Sequence, residues 1–278
     1  MTSVTERAGP TSDLRVRVVS AVILGPAALA ITVLGGPAFA ILVLLAALIV
    51  LEEWLRLLEA TPLRPTATAG GLGLAAATLA WVTGFGPAAI AAVALGAAAI
   101  ALVAASPRRA WAAGGALYAG ALLLPALALR GDPEFGLNAV LFVLATVWAT
   151  DVAAYFVGRA VGGPKLAPRI SPKKTWSGSV GGAIAGTVAG CGIVAILGMA
   201  VTWQLAVLAL ASSVVSQIGD LFESWFKRRL GAKDSGSLIP GHGGLMDRLD
   251  GVIAALLFLA LVSLIRGGSA PAASILIW

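Results

Sequence analysis

Long apolar segments, separated by short stretches of glycine, proline and charge, make up most of the chain. A helix needs about 20 apolar residues to cross the hydrocarbon core of a bilayer. The pattern therefore predicts an all-α, polytopic integral membrane protein with about nine transmembrane helices. The predicted spans cover residues 16–34, 38–58, 67–83, 87–105, 111–130, 136–158, 178–199, 203–222 and 251–266.

The distribution of Lys and Arg predicts the orientation of these spans, because basic residues concentrate on the cytoplasmic side. With a cytoplasmic N-terminus, seventeen of the nineteen basic residues fall in inner segments, and only Arg130 and Arg266 fall outside. A wrong number of spans would scramble this alternation. The bias therefore favours nine spans, an inner N-terminus and an outer C-terminus.

The composition and charge of the chain exclude some classes of function. The chain has 278 residues, a mean hydropathy of +0.96 and only 12% charged residues. Its net charge of +6 comes from basic residues gathered at one membrane face, where they meet anionic headgroups. No nucleic-acid-binding motif accompanies that charge, so nucleic acid is not an expected partner. The single cysteine, Cys191, excludes a disulfide framework.

The two halves of the chain differ in chemical content. Residues 1–130 are rich in Ala and Leu and are predicted to be a scaffold of transmembrane helices with a possible dimer interface. The stretch Glu52-Glu53-Trp54 stands out in this half and is typical of an interfacial tryptophan beside solvated carboxylates. Residues 131–278 are predicted to form the catalytic region. Its two long basic inner loops, about 159–177 and 223–250, place the site at the cytoplasmic face.

A strip of glycines opens the seventh predicted span. Gly178, Gly182, Gly186 and Gly190 recur at four-residue spacing and therefore lie on one helix face. Such a face lets another backbone approach closely. The strip predicts helix packing, either within one protomer or between protomers, and not a phosphate-binding loop.

Acidic residues recur at the inner ends of the late helices. Asp151 shares a helix face with Tyr155, Asp247 shares one with Asp250, and the eighth span carries a polar stripe of Gln217, Asp220, Glu223, Ser224 and Lys227. Singly, each acid is as well explained by a structural salt bridge as by function. Together with two basic loops they favour a Mg²⁺ site for phosphoryl or nucleotidyl transfer, because Mg²⁺ takes one or two carboxylates and completes its shell with water and phosphate.

Two loops supply candidate phosphate contacts. The turn at residues 239–244 (IPGHGG) precedes the ninth helix, whose free N–H groups are predicted to face an anion. The loop at residues 171–178 (SPKKTWSG) places two lysines beside a tryptophan, as expected for a phosphorylated lipid headgroup. His242 is interpreted as a phosphate contact or a structural loop residue. A phosphate monoester is already largely dianionic near neutral pH and needs no general base.

The C-terminal residues resemble the signature of the phosphatidate cytidylyltransferases, or CDP-diacylglycerol synthases. The resemblance rests on thirteen positions within 27 residues: Ser224, Lys227, Arg228, Lys233, Asp234, Pro240, Gly241, His242, Gly243, Gly244, Asp247, Arg248 and Asp250. Upstream, Asp151, Tyr155, Gly158, the 171–176 stretch, 217–220 and Glu223-Ser224 are also similar, so the likeness covers about 150–251. Ser177 departs from the family, where a glutamate is expected. The first 130 residues match only in hydropathy and length.

The resemblance implies the reaction of CTP with phosphatidic acid to give CDP-diacylglycerol and pyrophosphate. It implies Mg²⁺ as cofactor, with a second cation allowed, the inner face of a bacterial plasma membrane as location, and a homodimer. Asp220, Asp247 and Asp250 are the candidate metal ligands and, with Lys233, the candidate catalytic residues. The candidate substrate-binding residues are Asp151, Lys173, Lys174, Lys227, Arg228, His242 and Arg248. Which basic loop holds CTP and which holds lipid stays open.

Two other functions are also compatible with these residues. A CTP-dependent lipid kinase, or a cytidylyltransferase acting on another lipid alcohol, shares the metal and nucleotide requirements and differs in the acceptor. A proton- or cation-coupled transporter is the alternative from another class. Transporters tend to place charge at the bilayer midplane and to contain inverted repeats, whereas here the acids gather at one face and no repeat is visible.

Overall fold

The computed structural model describes residues 10–105, 107–236, 243–267 and 270–278, with side chains from residue 22 onward. It is almost entirely helical, which confirms the predicted class of a helical, polytopic membrane protein. The elements are α1 (Pro10–Leu34), α2 (Gly36–Leu57), α3 (Leu63–Val82), α4 (Gly86–Val103), α5 (Arg109–Arg130), α6 (Gly136–Val161), β1 (Lys165–Ala167), β2 (Ser171–Thr175), α7 (Trp176–Ile196), α8 (Trp203–Arg229), α9 (Met246–Arg266) and α10 (Pro271–Leu276).

Each predicted span corresponds to one long helix, α1 to α9. Within the described ranges, seven of these, α2 and α4 to α9, are long and apolar enough to cross a membrane, and the apolar part of α1 is the shorter segment Val22–Leu34. Some boundaries were wrong. α8 continues to Arg229 instead of ending near residue 222, and α9 begins at Met246 instead of residue 251. These added turns carry charge, so hydropathy alone does not detect them.

A small β-hairpin was missed by the sequence analysis. β1 and β2 pair antiparallel between α6 and α7, with Lys165 opposite Thr175 and Ala167 opposite Ser171. Alternate residues of a strand face opposite sides. Lys173 and Lys174 therefore point in different directions, although they were predicted to bind an anion together.

The glycine strip of α7 packs against α6 within the chain, which selects one of the two predicted alternatives. An ideal Cβ on Gly182 would lie 2.8 Å from the Thr150 carbonyl oxygen, and one on Gly178 would lie 2.6 Å from the Ala154 carbonyl oxygen. Helix α6 therefore covers this face.

The apolar core centres on α5, which contacts α2, α3, α4 and α9. Small buried residues, including Ala112, Ala116 and Ala119, line α5 and let its neighbours approach. An aromatic cluster lies beside the charged residues: the rings of Trp54 and Phe226 stack with centroids 3.9 Å apart, and Trp54 Nε1 donates to the Trp111 carbonyl oxygen at 2.8 Å. These contacts hold α2, α5 and α8 together.

Long-range hydrogen bonds sort the helix ends onto two sides of the bundle. On one side lie the C-termini of α2, α6 and α8, the N-termini of α5, α7 and α9, and the hairpin; this side is named the charged end. On the other side Arg130 donates to the carbonyl oxygens of Thr32 and Val33 at 2.8 and 3.0 Å. The candidate site residues that the structure describes are gathered on the side of the charged end.

Candidate functional site at the charged end

The hairpin brings Lys174 to α8. Its ammonium group forms an ion pair with Asp220, and both side chains are 29% exposed. The Ser224 hydroxyl, one turn further along α8, donates to the other Asp220 oxygen at 3.4 Å. Asp220 is thus held by a cation from a different element, while enough of it remains exposed for a ligand to reach.

Asp151 and Asp250 extend this group. Asp151 on α6 and Asp250 on α9 both interact electrostatically with Asp220 and Lys174, and Arg248 interacts with Asp151. Asp250 also accepts a hydrogen bond from the Gly251 nitrogen at 2.7 Å. Three carboxylates from three helices therefore lie within electrostatic range of one another and of Lys174, and together they are named the acidic group Asp151, Asp220 and Asp250.

Asp247 belongs to a separate ion-pair network. Lys227 Nζ lies 2.6 Å from Asp247 Oδ1 and 2.6 Å from Glu223 Oε2. The side chains of Glu223, Lys227 and Asp247 are only 2%, 10% and 11% exposed. A buried cation between two carboxylates ties the end of α8 to the start of α9. Asp247 and Asp250 share a helix, as predicted, but have different partners.

Asp247 also organises the chain around the start of α9. Its carboxylate accepts from the Ser235 nitrogen, at 3.2 Å to Oδ1 and 3.0 Å to Oδ2, and from the Gly244 nitrogen at 3.0 Å. The N–H groups at this helix N-terminus were predicted to be free for a ligand anion. That expectation is wrong for Gly244, Leu245 and Met246, because side chains of the protein itself accept from all three.

The acceptor for Leu245 and Met246 is Glu53, from the opposite half of the chain. Glu53 Oε1 accepts from the Leu245 nitrogen at 2.8 Å, and Oε2 accepts from the Met246 nitrogen at 2.7 Å and from the Ser235 hydroxyl at 3.1 Å. Glu53 is 5% exposed and Trp54 is 3% exposed, so the prediction of solvated carboxylates beside an interfacial tryptophan is wrong for both. It holds for Glu52, which is exposed and pairs with Arg56.

The remaining predicted residues lie toward solvent or outside the described residues. Lys173, Arg228, Lys233 and Arg248 are exposed, and Arg228 donates to the Ala232 carbonyl oxygen at 3.0 Å. His242 lies outside the described residues, as does most of the 239–244 turn. Ser177, the departure from the resembled signature, has its hydroxyl 3.0 Å from the Thr175 hydroxyl and donates to the Gly162 carbonyl oxygen, which joins the start of α7 to the residue after α6.

The donor atoms at the charged end suit a hard divalent cation only in part. Among the described residues no three acidic, histidine or cysteine side chains are close enough to form a complete metal-binding group. Mg²⁺ needs fewer protein ligands than that, since water and substrate phosphates complete its octahedron. Asp250 accepts one backbone hydrogen bond, and Asp220, although held by Lys174 and Ser224, is 29% exposed; both fit this requirement. Asp247 fits it less well, because its two oxygens already accept from Lys227, Ser235 and Gly244.

Three contributors were not among the predicted site residues: Glu53, Glu223 and Tyr118. In the described part of the chain the Tyr118 hydroxyl and Glu223 Oε1 are buried without a hydrogen-bond partner, and Tyr118 interacts electrostatically with Asp220, Glu223, Asp247 and Asp250. Glu223 was named in the polar stripe of the eighth span and Glu53 beside Trp54, but neither was given a site role, although a carboxylate near the end of an apolar helix is costly unless it has one. Tyr118 carries no such signal.

Fold and site together define a multi-pass helical membrane protein that collects carboxylates and cations from several helices at one end of its bundle. Comparison with known proteins gives the family. The profile of the Cytidylyltransferase family matches residues 15–265, nearly the whole chain. The chain belongs to this family and is therefore an enzyme of the nucleotidyltransferase class.

Curated relatives agree with this assignment. A phosphatidate cytidylyltransferase of Brucella suis is 42% identical over 259 residues, covering 90% of this chain and 93% of the relative. Proteins with the same name from Haemophilus influenzae and Bacillus subtilis are 37% and 32% identical over 132 and 155 residues, covering 46% of each chain in the first comparison, and 52% of this chain and 54% of the relative in the second. The resemblance found in the sequence is confirmed.

Proposed function

We propose that the protein is a phosphatidate cytidylyltransferase that converts CTP and phosphatidic acid into CDP-diacylglycerol and pyrophosphate. One observation carries the proposal beyond family membership. Cations and carboxylates from the hairpin, α6, α8 and α9 converge at one end of a membrane bundle, where a lipid headgroup and a soluble nucleotide can meet. The apolar helices alone would serve many functions, but this convergence suits a reaction between two phosphates.

The reaction joins a phosphatidate oxygen to the α-phosphorus of CTP and breaks the bond from that phosphorus to the oxygen bridging to the β-phosphate. Pyrophosphate leaves with the bond electrons. Both reactants are polyanions, so the exposed cations Lys173, Arg228, Lys233 and Arg248 have the task of binding and orienting them. Lys174 and Lys227 form ion pairs with Asp220 and Asp247, and their proposed role is to hold these two carboxylates in place.

Mg²⁺ is the proposed cofactor, held by Asp220 and Asp250 with Asp151 near it. When bound, the metal would withdraw charge from the α-phosphate and the leaving pyrophosphate. The residues of the chain supply the rest: Lys174 orients Asp220, and the α8–α9 ion-pair network keeps the start of α9, and with it Asp250, in position. Asp247 was predicted as a third ligand; its contacts favour an organising role.

The proposal includes a bacterial inner-membrane location, nine spans, a cytoplasmic N-terminus and a charged end that faces the cytoplasm, where CTP is available. The seventeen-to-two split of basic residues supports this orientation. Residues 1–130 are proposed as scaffold and 131–278 as the catalytic region, with Glu53 as a contribution from the first part to the second. A homodimer is also proposed; its interface does not use the glycine strip, which α6 covers.

The decisive experiment is a product assay with purified protein, CTP, Mg²⁺ and phosphatidic acid in detergent micelles or vesicles. A phosphatidate cytidylyltransferase releases one pyrophosphate for each CDP-diacylglycerol formed. A CTP-dependent kinase releases CDP instead, and a transporter turns over no CTP. Diacylglycerol and a polyprenyl alcohol in place of phosphatidic acid provide the acceptor controls. Pyrophosphate release that depends on phosphatidic acid is the expected result, and CDP release would refute the proposal.

A further inference from the structure

Helix α9 begins without a local cap. Its N-cap position, Leu245, has no polar side chain, and the described residues just before it are glycines. The first N–H groups of any helix lack partners inside the helix, so they require an acceptor from elsewhere or remain unpaired. In α9 these N–H groups belong to the residues that directly precede Asp247 and Asp250.

Glu53 meets this requirement from almost 200 residues away in the sequence. Its two oxygens accept from consecutive backbone nitrogens, Leu245 at 2.8 Å and Met246 at 2.7 Å. A carboxylate at a helix N-terminus is stabilised by the helix dipole and forms charge-assisted hydrogen bonds. The buried charge of Glu53 is thus balanced by the helix end that it caps.

The same carboxylate also reaches the end of the preceding segment. Glu53 Oε2 accepts from the Ser235 hydroxyl at 3.1 Å, while the Ser235 nitrogen donates to Asp247. Two carboxylates, Glu53 and Asp247, therefore hold residues 235 and 244–246 from two directions. The space is closely filled: an ideal Cβ on Gly244 would lie 2.7 Å from Glu53 Oε2.

We infer that Glu53 is a positioning residue for the active site, which caps α9 from the scaffold half and thereby places Asp247 and Asp250. It touches neither acid and acts through the backbone of residues 244–246. The inference rests on the proposed function for its kinetic readout only. The adjacent Glu52 provides a matched control, since it is exposed and pairs with Arg56 on the outside of α2.

The test compares Glu53→Gln with Glu52→Gln in the full-length protein, using two readouts. The first is amide hydrogen exchange of a peptide covering residues 243–249, whose first amides depend on Glu53. Glu53→Gln keeps one acceptor oxygen and loses the charge, so exchange of this peptide is expected to accelerate by about tenfold or more, while Glu52→Gln leaves it unchanged. Equal exchange in the two variants would overturn the inference.

The second readout is the Mg²⁺ concentration that gives the half-maximal rate of pyrophosphate release. Misfolding of a fraction of the protein lowers the rate but cannot change this concentration, whereas displaced Asp247 and Asp250 change it. An increase of about tenfold is expected for Glu53→Gln. An unchanged half-maximal Mg²⁺ concentration with a reduced rate would show that Glu53 only stabilises the fold, and would refute its role in positioning Asp247 and Asp250.

The test also decides if the wild-type protein is inactive or if Glu53→Gln does not fold. If wild-type protein releases no pyrophosphate, the proposed function fails, and hydrogen exchange alone decides the role of Glu53. If Glu53→Gln does not fold, Glu53→Asp replaces it, because it keeps the charge but shortens the reach of the carboxylate to the Leu245 and Met246 nitrogens. Faster exchange at residues 243–249 in Glu53→Asp supports the inference, and exchange equal to that of Glu52→Gln contradicts it.

Discussion

Lys227 Nζ lies 2.6 Å from Asp247 Oδ1 and joins the end of α8 to the start of α9. Lys227 lies on the last turn of α8, Asp247 on the first turn of α9, and Glu223 contacts the same ammonium group. Because all three side chains are nearly buried, removing the cation would leave Glu223 without its ion-pair partner and Asp247 with only its backbone hydrogen bonds. This pair is the main electrostatic link between the two helices that carry most of the candidate site.

Lys227→Met is therefore expected to be strongly destabilising. Breaking a buried ion pair by removing one partner costs about 3–5 kcal/mol. We expect a markedly lower Tm in detergent and loss of pyrophosphate release. Arg229→Met is the matched control, since Arg229 lies two residues further on α8 and is exposed over the Trp225 ring at 5.7 Å. Equal Tm values for the two variants would show that the pair contributes little to stability.

Asp250→Asn separates metal binding from folding. Asparagine keeps the oxygen that accepts from the Gly251 nitrogen but removes the charge from the acidic group. Turnover is expected to fall by about 10²-fold or more at ordinary Mg²⁺ concentrations, with little change in Tm. In contrast, Asp247→Asn is expected to lower both turnover and Tm. Glu134→Gln, exposed at the opposite end, serves as the control. Full activity of Asp250→Asn would refute the metal assignment.

Gly186→Ala tests the close approach of α6 and α7. An added Cβ would collide with the Thr150 hydroxyl and lie 2.9 Å from the Thr146 carbonyl oxygen. Forcing extra volume into such a contact costs about 1–3 kcal/mol. Gly192→Ala on the same helix has nothing within 4 Å of its Cβ and is expected to be neutral or slightly stabilising. Tm values of the two variants in the same detergent provide the measurement. A Gly186→Ala protein as stable as Gly192→Ala would contradict the packing described above.

Asp132 gives a pH-dependent prediction at the opposite end of the bundle. Burial by itself would raise the pKa of Asp132, but hydrogen bonds from the backbone nitrogens of Phe135, Ala273, Glu134 and Ala272 outweigh it and lower the pKa. A carboxylate whose pKa is lowered on folding stabilises the protein above its ordinary pKa of about 3.9. This stabilisation is lost as the pH falls through the lowered value.

The measurement compares Tm of wild type with that of Asp132→Asn from pH 7 downward. Asparagine keeps one acceptor oxygen but loses the charge and the second acceptor, which costs about 1 kcal/mol, so wild type is expected to be the more stable at pH 7. The difference should shrink below about pH 4 as the wild-type carboxyl gains a proton. A difference that stays constant down to the acid limit would mean that the charge of Asp132 contributes nothing.

Cysteine labelling tests the topology. Arg169 lies in the hairpin connection and Glu134 in the loop before α6, and both side chains are exposed. In a background with Cys191 replaced by alanine, Arg169→Cys should react with an impermeant thiol reagent only after the membrane is opened. Glu134→Cys should react in intact spheroplasts. Labelling of both positions from the same side would refute the proposed orientation.

Much of the fold was predictable because hydropathy is a local property. A segment either contains enough apolar residues to span a bilayer or it does not, and the run of residues decides this without reference to other segments. The four-residue spacing of Gly178, Gly182, Gly186 and Gly190 likewise predicted close helix packing. The carboxylates and cations near the helix ends predicted phosphoryl or nucleotidyl transfer, since charge at such positions is costly unless it has a role.

Tertiary structure decided which of these residues act together. Glu52 and Glu53 are neighbours of one type, yet about 100° of helix rotation places one in solvent and the other against the start of α9. Lys173 and Lys174 are separated in the same way by the alternation of β2. Asp247 and Asp250 share a helix, but Lys227 and the Gly244 nitrogen bond to Asp247 and not to Asp250. Sequence specifies the types and spacing of groups within an element, whereas pairing across elements depends on how the helices pack, which no local pattern records.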